Sequence, residues 1–298
     1  MKYNSEIKTA VVPAGGYGTR FMPATKSIPK EMFPMGSKPV ILHVVEEIVQ
    51  AGIEQIIFIV SHHKQSIESF FSPNQILEDF FTEQGKTEQV EQLRRISQMA
   101  DFGFVYTKPP YGNGGALIAA EHLLRKKHPF LFVWSDELML TKGESRVKQC
   151  VDAYQQYGKP VVSAIEIQDP EKRSRYGMAE LKDLPGDETV KEIVRIAEKP
   201  ALGQEPSPYA THGAYILHPD EIFESLKNTP IGKDGELWLT DALNNMMPKT
   251  GLLAKIIKDA TYLDCGNPLE YLKSQIDYTL GFSEDAADLK RFLKEKGL

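Results

Sequence analysis

The chain has 298 residues, 41% of them hydrophobic and 26% charged, with glycine and proline near ordinary usage. That composition excludes disorder, collagen and a coiled coil, and a chain of about 300 residues buries roughly three quarters of its unfolded surface without staples. A formal net charge of −6 argues against polymeric nucleic acid or an anionic membrane as partner, since both favour basic surfaces.

Residues 1–40 depart from that balance. They carry Lys2, Lys8, Arg20, Lys26, Lys30 and Lys38 against only Glu6 and Glu31, a local charge of +4. Such a patch suits a small anionic ligand or, equally, a plain solvated face. Thr9–Pro13 reads as a first strand, broken by Ala14-Gly15-Gly16-Tyr17-Gly18. Pro39 suits a first helical turn, and Val40, Ile41, Val44, Val45 and Ile48 form a helical stripe ending near Gly52. The unbroken apolar run Gln55–Val60 is a strand covered on both faces. Strand, crossover and strand make a βαβ unit of a parallel sheet.

Ser72-Pro73 predicts a helix cap, with Ile76, Leu77, Phe80 and Phe81 as the buried stripe. A second helix follows from Thr87 through Val90, Leu93 and Ile96. Phe104–Tyr106 is expected as a strand, Ala116–Leu124 as a helix and Phe130–Trp134 as another buried strand. Beyond Gly158, Val161–Ile167, Val190–Ile196 and Ala214–Leu217 read as strands between loops rich in Asp, Pro and Gly. Two helices end the chain, around Leu269–Gly281 and Asp285–Lys296. The alternation predicts an α/β fold on a mixed sheet, with no internal repeat or linker.

Cys150 and Cys265 are the only cysteines and form no metal framework, and the seven histidines show no metal spacing. No apolar run reaches membrane-spanning length and no signal peptide is present, so a soluble, cytoplasmic protein is expected.

The chemistry concentrates after the first strand. Gly15, Gly16 and Gly18 let backbone N–H groups approach an anion, Arg20 can fork two phosphate oxygens, and Lys30 supplies a point charge. Read alone, the glycines also fit a tight turn. The dinucleotide fingerprint fails because Phe21 stands where its third glycine belongs, and Gly85-Lys86-Thr87 lacks the first glycine of a P-loop.

The run from Gly15 to Met32, with Pro23-Ala24-Thr25-Lys26-Ser27-Ile28-Pro29-Lys30-Glu31-Met32 at its end, resembles the signature of sugar-1-phosphate nucleotidylyltransferases. Its wording is most similar to the bacterial UTP–glucose-1-phosphate uridylyltransferases. The resemblance continues through Glu198-Lys199-Pro200, Gly235–Ala242 and Asp264-Cys265-Gly266-Asn267. It implies a Rossmann-like, mostly parallel sheet flanked by helices, with small β insertions in the sugar-binding half. One domain spans 1–298, with a nucleotide-binding half about 1–140 and a sugar-phosphate half about 141–298.

The resemblance also assigns roles. Ala14, Gly15, Gly16, Gly18 and Thr19 line the nucleotide, while Arg20 and Lys30 neutralise its triphosphate. Lys199 holds the sugar phosphate, Glu198 a sugar hydroxyl, and Gly177 and Gly213 lie against the sugar. Asp136 and Asp264 are Mg²⁺ ligands; read alone, each is also an ordinary cap or turn residue. Thr107, Gly112 and Gly114 border the base. Thr107 stands where the family usually has Gln, and Gly115 where His is common. Thr lacks the paired donor and acceptor of an amide, so UTP is the first expectation and dTTP the next. The expected reaction joins glucose 1-phosphate to UTP with Mg²⁺ as cofactor, in a homo-oligomer. A non-catalytic nucleotide-sugar sensor would have lost Arg20 or a metal carboxylate, and none is missing.

Overall fold

The computed structural model describes residues 6–107, 109, 111–232 and 235–297. Lys2 of the basic segment, and Lys108 and Pro110 beside Thr107, lie outside the described residues.

The chain opens with β1 (Thr9–Ala14), the short antiparallel strands β2 (Pro34–Met35) and β3 (Lys38–Pro39), α1 (Val40–Gln50) and β4 (Gln55–Val60). Helices α2 (Gln65–Phe71), α3 (Gln75–Glu83) and α4 (Thr87–Gln98) lead to β5 (Asp101–Tyr106). Then come α5 (Asn113–Ala119), β6 (Phe130–Val133), β7 (Glu137–Thr141) and α6 (Arg146–Tyr157). β8 (Val161–Glu166), α7 (Pro170–Arg173), β9 (Gly177–Asp183), β10 (Val190–Glu198) and β11 (Tyr209–Leu217) follow. The last elements are α8 (Pro219–Asn228), α9 (Leu239–Thr250), β12 (Leu253–Ile256), β13 (Ala260–Asp264), α10 (Pro268–Phe282) and α11 (Ala286–Glu295).

The central sheet has nine strands in the order β5-β4-β1-β6-β11-β8-β12-β10-β9. β10 and β11 run against the other strands, so the sheet is mixed and mostly parallel, as expected. Alternate residues of its inner strands feed two cores. Val12, Phe58 and Leu131 face α1, α2 and α6; Val11, Ile57 and Phe132 face α5, α8 and α9. Covering both faces explains why these strands read as continuous apolar runs rather than alternating ones.

Several expectations shift. Ser72 ends α2, its hydroxyl donating to the Glu68 carbonyl at 2.8 Å, and Asn74 caps α3 by accepting from Leu77 N–H at 3.1 Å. The proposed buried stripe of α3 is mostly outside: Ile76 is 82% exposed and Phe80 49%, while Leu77 is also exposed. The buried side chain of α3 is Glu78, held by Arg94 at 2.7 Å. The helix expected over Ala116–Leu124 begins at Asn113, ends at Ala119 and gives way to a 3₁₀ turn. The strand expected over Ala214–Leu217 extends back to Tyr209 through a register shift between Thr211 and Tyr215. α6 carries its own punctuation, a Ser145 cap and the left-handed Gly158 at its end.

Candidate active site

A cavity of about 550 Å³ opens beyond the carboxyl ends of β1 and β6, where open α/β sheets bind ligands. Gly15–Thr19 form one wall, Thr107 and Tyr111–Asn113 another, and Lys30, Ser135 and Asp136 belong to the same lining. A Cβ on Gly15 would stand 2.6 Å from the Thr107 methyl, so only glycine lets the exit of β1 pass this residue. Gly18 sits at φ 63°, and the Thr25 hydroxyl donates to its carbonyl at 2.9 Å. Gly16 has no neighbour within 4 Å of a would-be Cβ and leaves its backbone open to the cavity.

Not every expected residue reaches the wall. Ala14 is buried at the end of β1, and Arg20 is exposed on the 3₁₀ turn Thr19–Phe21, outside the lining. Gly112 lines the cavity at φ 97°, but Gly114 is buried under Leu237, whose carbonyl accepts its N–H at 2.9 Å.

The charges are organised in pairs. Lys30 donates to Asp136, and Lys64 donates to both oxygens of Glu31 at 2.7 and 2.8 Å. Burial opposes the Lys30 charge, yet Asp136, Glu31 and Glu137 hold its ammonium above the usual range. Burial likewise opposes the Asp136 charge, but Lys30 holds its carboxyl below the usual range. Lys64 and Glu31 are almost wholly inaccessible. Burial raises the Glu31 carboxyl and lowers the Lys64 ammonium, so that pair survives only as a pair.

β13 pairs antiparallel with β7 and sets Asp264 opposite Glu137, one residue from Asp136. Thus two carboxylates 128 positions apart in sequence become neighbours through a two-stranded ladder. Asp264 Oδ1 accepts from Gly266 N–H at 2.7 Å. Burial, with Glu137 and Asp136 nearby, pushes its carboxyl above the usual range. Asp264 itself opens on a wider groove of about 710 Å³ with Tyr176 and Tyr262. That groove holds none of the glycine loop, and Asp264 is absent from the lining of the smaller cavity.

A second group gathers where β9, β10 and α9 meet. Gly177 packs so closely that a Cβ would lie 3.2 Å from Glu198 Oε2 and 3.1 Å from the Thr211 hydroxyl. Thr240 donates to Glu198 at 2.7 Å. Lys199 adopts φ 45° and places its ammonium 4.7 Å from the Trp238 ring centre. Gly213, at φ 72°, is turned instead toward Arg146 and Glu137 in the interior. Gly213 is thus a buried residue of β11, at its register shift between Thr211 and Tyr215, and no open surface remains there for a sugar.

The sequence profile described as Nucleotidyl transferase matches residues 9–280. The chain belongs to the nucleotidyl transferase family. UTP–glucose-1-phosphate uridylyltransferase YngB of Bacillus subtilis is 35% identical to it over 290 residues, 97% of this chain and 95% of the relative. A UTP–glucose-1-phosphate uridylyltransferase of Staphylococcus epidermidis is also 35% identical, over 97% of this chain and 98% of its own. Among solved structures, UTP-bound UGPase from Acinetobacter baumannii superposes with a TM-score of 0.87 at 30% identity, covering 97% of this chain and 99% of that one. A UDP-glucose pyrophosphorylase complexed with UDP-glucose gives 0.82 at 35% identity, over 92% and 98%.

In this nucleotidyl transferase, sequence reading missed the residues that support the site. Glu31 lies within the Pro23–Met32 motif, but nothing local in the sequence marks Lys64 as its buried partner. Trp238 and Thr240 lie inside the Gly235–Ala242 run, and only the packing of α9 on β10 shows that they hold Lys199 and Glu198.

Proposed function

We propose that this nucleotidyl transferase transfers the uridylyl group of UTP to glucose 1-phosphate, giving UDP-glucose and pyrophosphate. The observation that carries the reading is the Lys30–Asp136 pair in a glycine-walled cavity, in a chain whose relatives bear that enzyme's name. A glucose-1-phosphate oxygen attacks the α-phosphorus in line with the departing pyrophosphate. A phosphate monoester carries about −1.5 to −2 charge at neutral pH, so the nucleophile needs no general base. What it needs is relief of repulsion between two anions, and alignment.

The chain's own groups supply both. The Gly15–Thr19 backbone seats the triphosphate and Lys30 offsets its charge, with Arg20 adding a cation on the exposed turn that follows the loop. Lys199 holds the sugar phosphate, and Glu198, oriented by Thr240, takes a sugar hydroxyl beside Gly177. Asp136 and Asp264 fit Mg²⁺: both offer hard oxygen donors, and a cation would offset both the burial and the neighbouring Glu137 and Asp136 charges that raise Asp264. Two carboxylates are enough for an ion that completes its shell with substrate phosphates and water. Bound there, Mg²⁺ would neutralise phosphate charge.

We also read the chain as one domain, since a single sheet runs through both halves. It acts in the cytoplasm as a homo-oligomer; the exposed Ile76 and Phe80 on α3 support association. No helix among the described residues is long and apolar enough to cross a membrane. Pyrophosphate release, measured for a panel of nucleoside triphosphates against sugar 1-phosphates with Mg²⁺, tests the reading. Highest kcat/KM with UTP and glucose 1-phosphate is expected. A clear preference for dTTP would move the assignment to thymidylyl transfer, and no release with any pair would remove the enzyme.

A further inference from the structure

The nucleotide cavity is not uniform. Lys30 joins the Gly15–Thr19 loop at one end, whereas Thr107, Gly112, Asn113 and Ala116, with Glu236 against Gly112, bring no cation to the other. A nucleoside triphosphate carries its negative charge at one end, so its phosphates belong with Lys30 and its base with the groups that offer no cation and, in Glu236, a carboxylate.

Asn113 is the one of these four with a carboxamide. Its Oδ1 accepts from the Leu239 N–H at 2.7 Å. A backbone N–H can be answered only by the amide oxygen, which fixes the orientation of the side chain. Both N–H bonds of Nδ2 are then left without a partner among the described residues. The loop is also clamped, because Leu237 N–H donates to the Tyr111 carbonyl at 2.8 Å and Gly114 N–H to the Leu237 carbonyl at 2.9 Å. Thr107, by contrast, lays its methyl against Gly15.

We propose that Asn113 is a specificity-determining residue that donates from Nδ2 to the O4 carbonyl of the pyrimidine, favouring uracil over cytosine. Uracil and thymine present the O4 acceptor where cytosine presents an N4 amino donor. A donor facing that amino group is left unpaired, and an unmade bond in a desolvated site costs more than a made one gains. The proposal rests on the uridylyl-transfer reading above.

Asn113→Asp is the deciding variant. Its carboxylate still accepts from Leu239 N–H, so the clamp stays, but it has no N–H to donate. The added charge weakens every triphosphate alike, so the readout is the ratio of kcat/KM for UTP to that for CTP, at saturating glucose 1-phosphate. That ratio should fall about tenfold or more, chiefly through KM for UTP, with the thermal midpoint held. Asn113→Leu should lose the ratio and lower the midpoint as well. An unchanged ratio in Asn113→Asp, or no preference for UTP over CTP in the native protein, overturns the proposal. A native protein that turns over no nucleotide refutes uridylyl transfer instead. Calorimetric binding of UTP and CTP then reads the same ratio and still decides the role of Asn113.

Discussion

The Lys30 ammonium donates to the Asp136 carboxylate across 106 residues of chain, so the two groups proposed to meet the phosphates already hold each other. Asp136→Asn removes the charge from this pair and one carboxylate from the cation site while keeping the shape. We expect kcat to fall by about a hundredfold or more in the pyrophosphate-release assay, with an unchanged circular dichroism spectrum. Retained turnover would remove Asp136 from the site.

Lys199 lies over the Trp238 ring at 4.7 Å. An attraction of about 0.5–2 kcal/mol holds the ammonium where a sugar phosphate would meet it. Trp238→Leu should raise KM for glucose 1-phosphate about three- to tenfold and leave KM for UTP near its native value. Equal effects on both substrates would mean that Trp238 only packs.

Arg146 is fully buried, with Nη2 on Glu47 at 2.8 Å, and Glu47 also accepts from Val147 N–H at 3.1 Å. Removing one partner of a buried pair costs about 3–5 kcal/mol. Arg146→Ala should show a loss of that order in urea unfolding. Gly213→Ala should also destabilise, because φ 72° is strained for a side chain and its Cβ would meet the same guanidinium. Unfolding midpoints equal to the native one would contradict both.

His43 donates from Nε2 to the Met35 carbonyl at 2.9 Å, and burial holds its imidazole below its usual 6.5. The unfolded chain therefore binds the proton more readily than the folded one. This residue's contribution is full above pH 6.5 and is lost as pH falls through the lowered folded value. Thermal midpoints measured from pH 7.5 to 5 should fall less steeply for His43→Gln than for the native protein. Identical slopes would rule the residue out as a source of acid sensitivity.

Cys150 and Cys265 are both buried. Burial pushes the Cys150 thiol up to about 12 and raises Cys265 too, with Asp136 and Asp264 adding to the latter. Neither forms thiolate at neutral pH, so an aromatic disulfide reagent should find no reactive thiol until the chain unfolds. One thiol titrating in the native state would show that the core around it opens.

Sequence periodicity located the inner strands because two covered faces demand uninterrupted apolar runs, as in Gln55–Val60. It failed on α3, where Ile76, Leu77 and Phe80 have helical spacing but face solvent. Spacing reports which residues share a face, and cannot report what that face meets. The reverse error hid α6, whose buried face includes Arg146, a residue that composition assigns to the surface. Its burial is possible because Glu47 on α1 answers it.

The chain by itself laid out the glycine loop proposed to hold phosphate. Gly15 to Lys30 is a contiguous run of small residues and cations; read alone its glycines also fit a tight turn, and its resemblance to the family signature is what marks it for phosphate. Tertiary structure alone decided which groups meet. Asp264 reaches Glu137 and Asp136 through a β7–β13 ladder, and Lys64 finds Glu31 in the interior. Asn113 and Leu239, likewise, are joined across 126 residues. Pairings of that range depend on how the sheet closes in space, and no pattern along the chain encodes them.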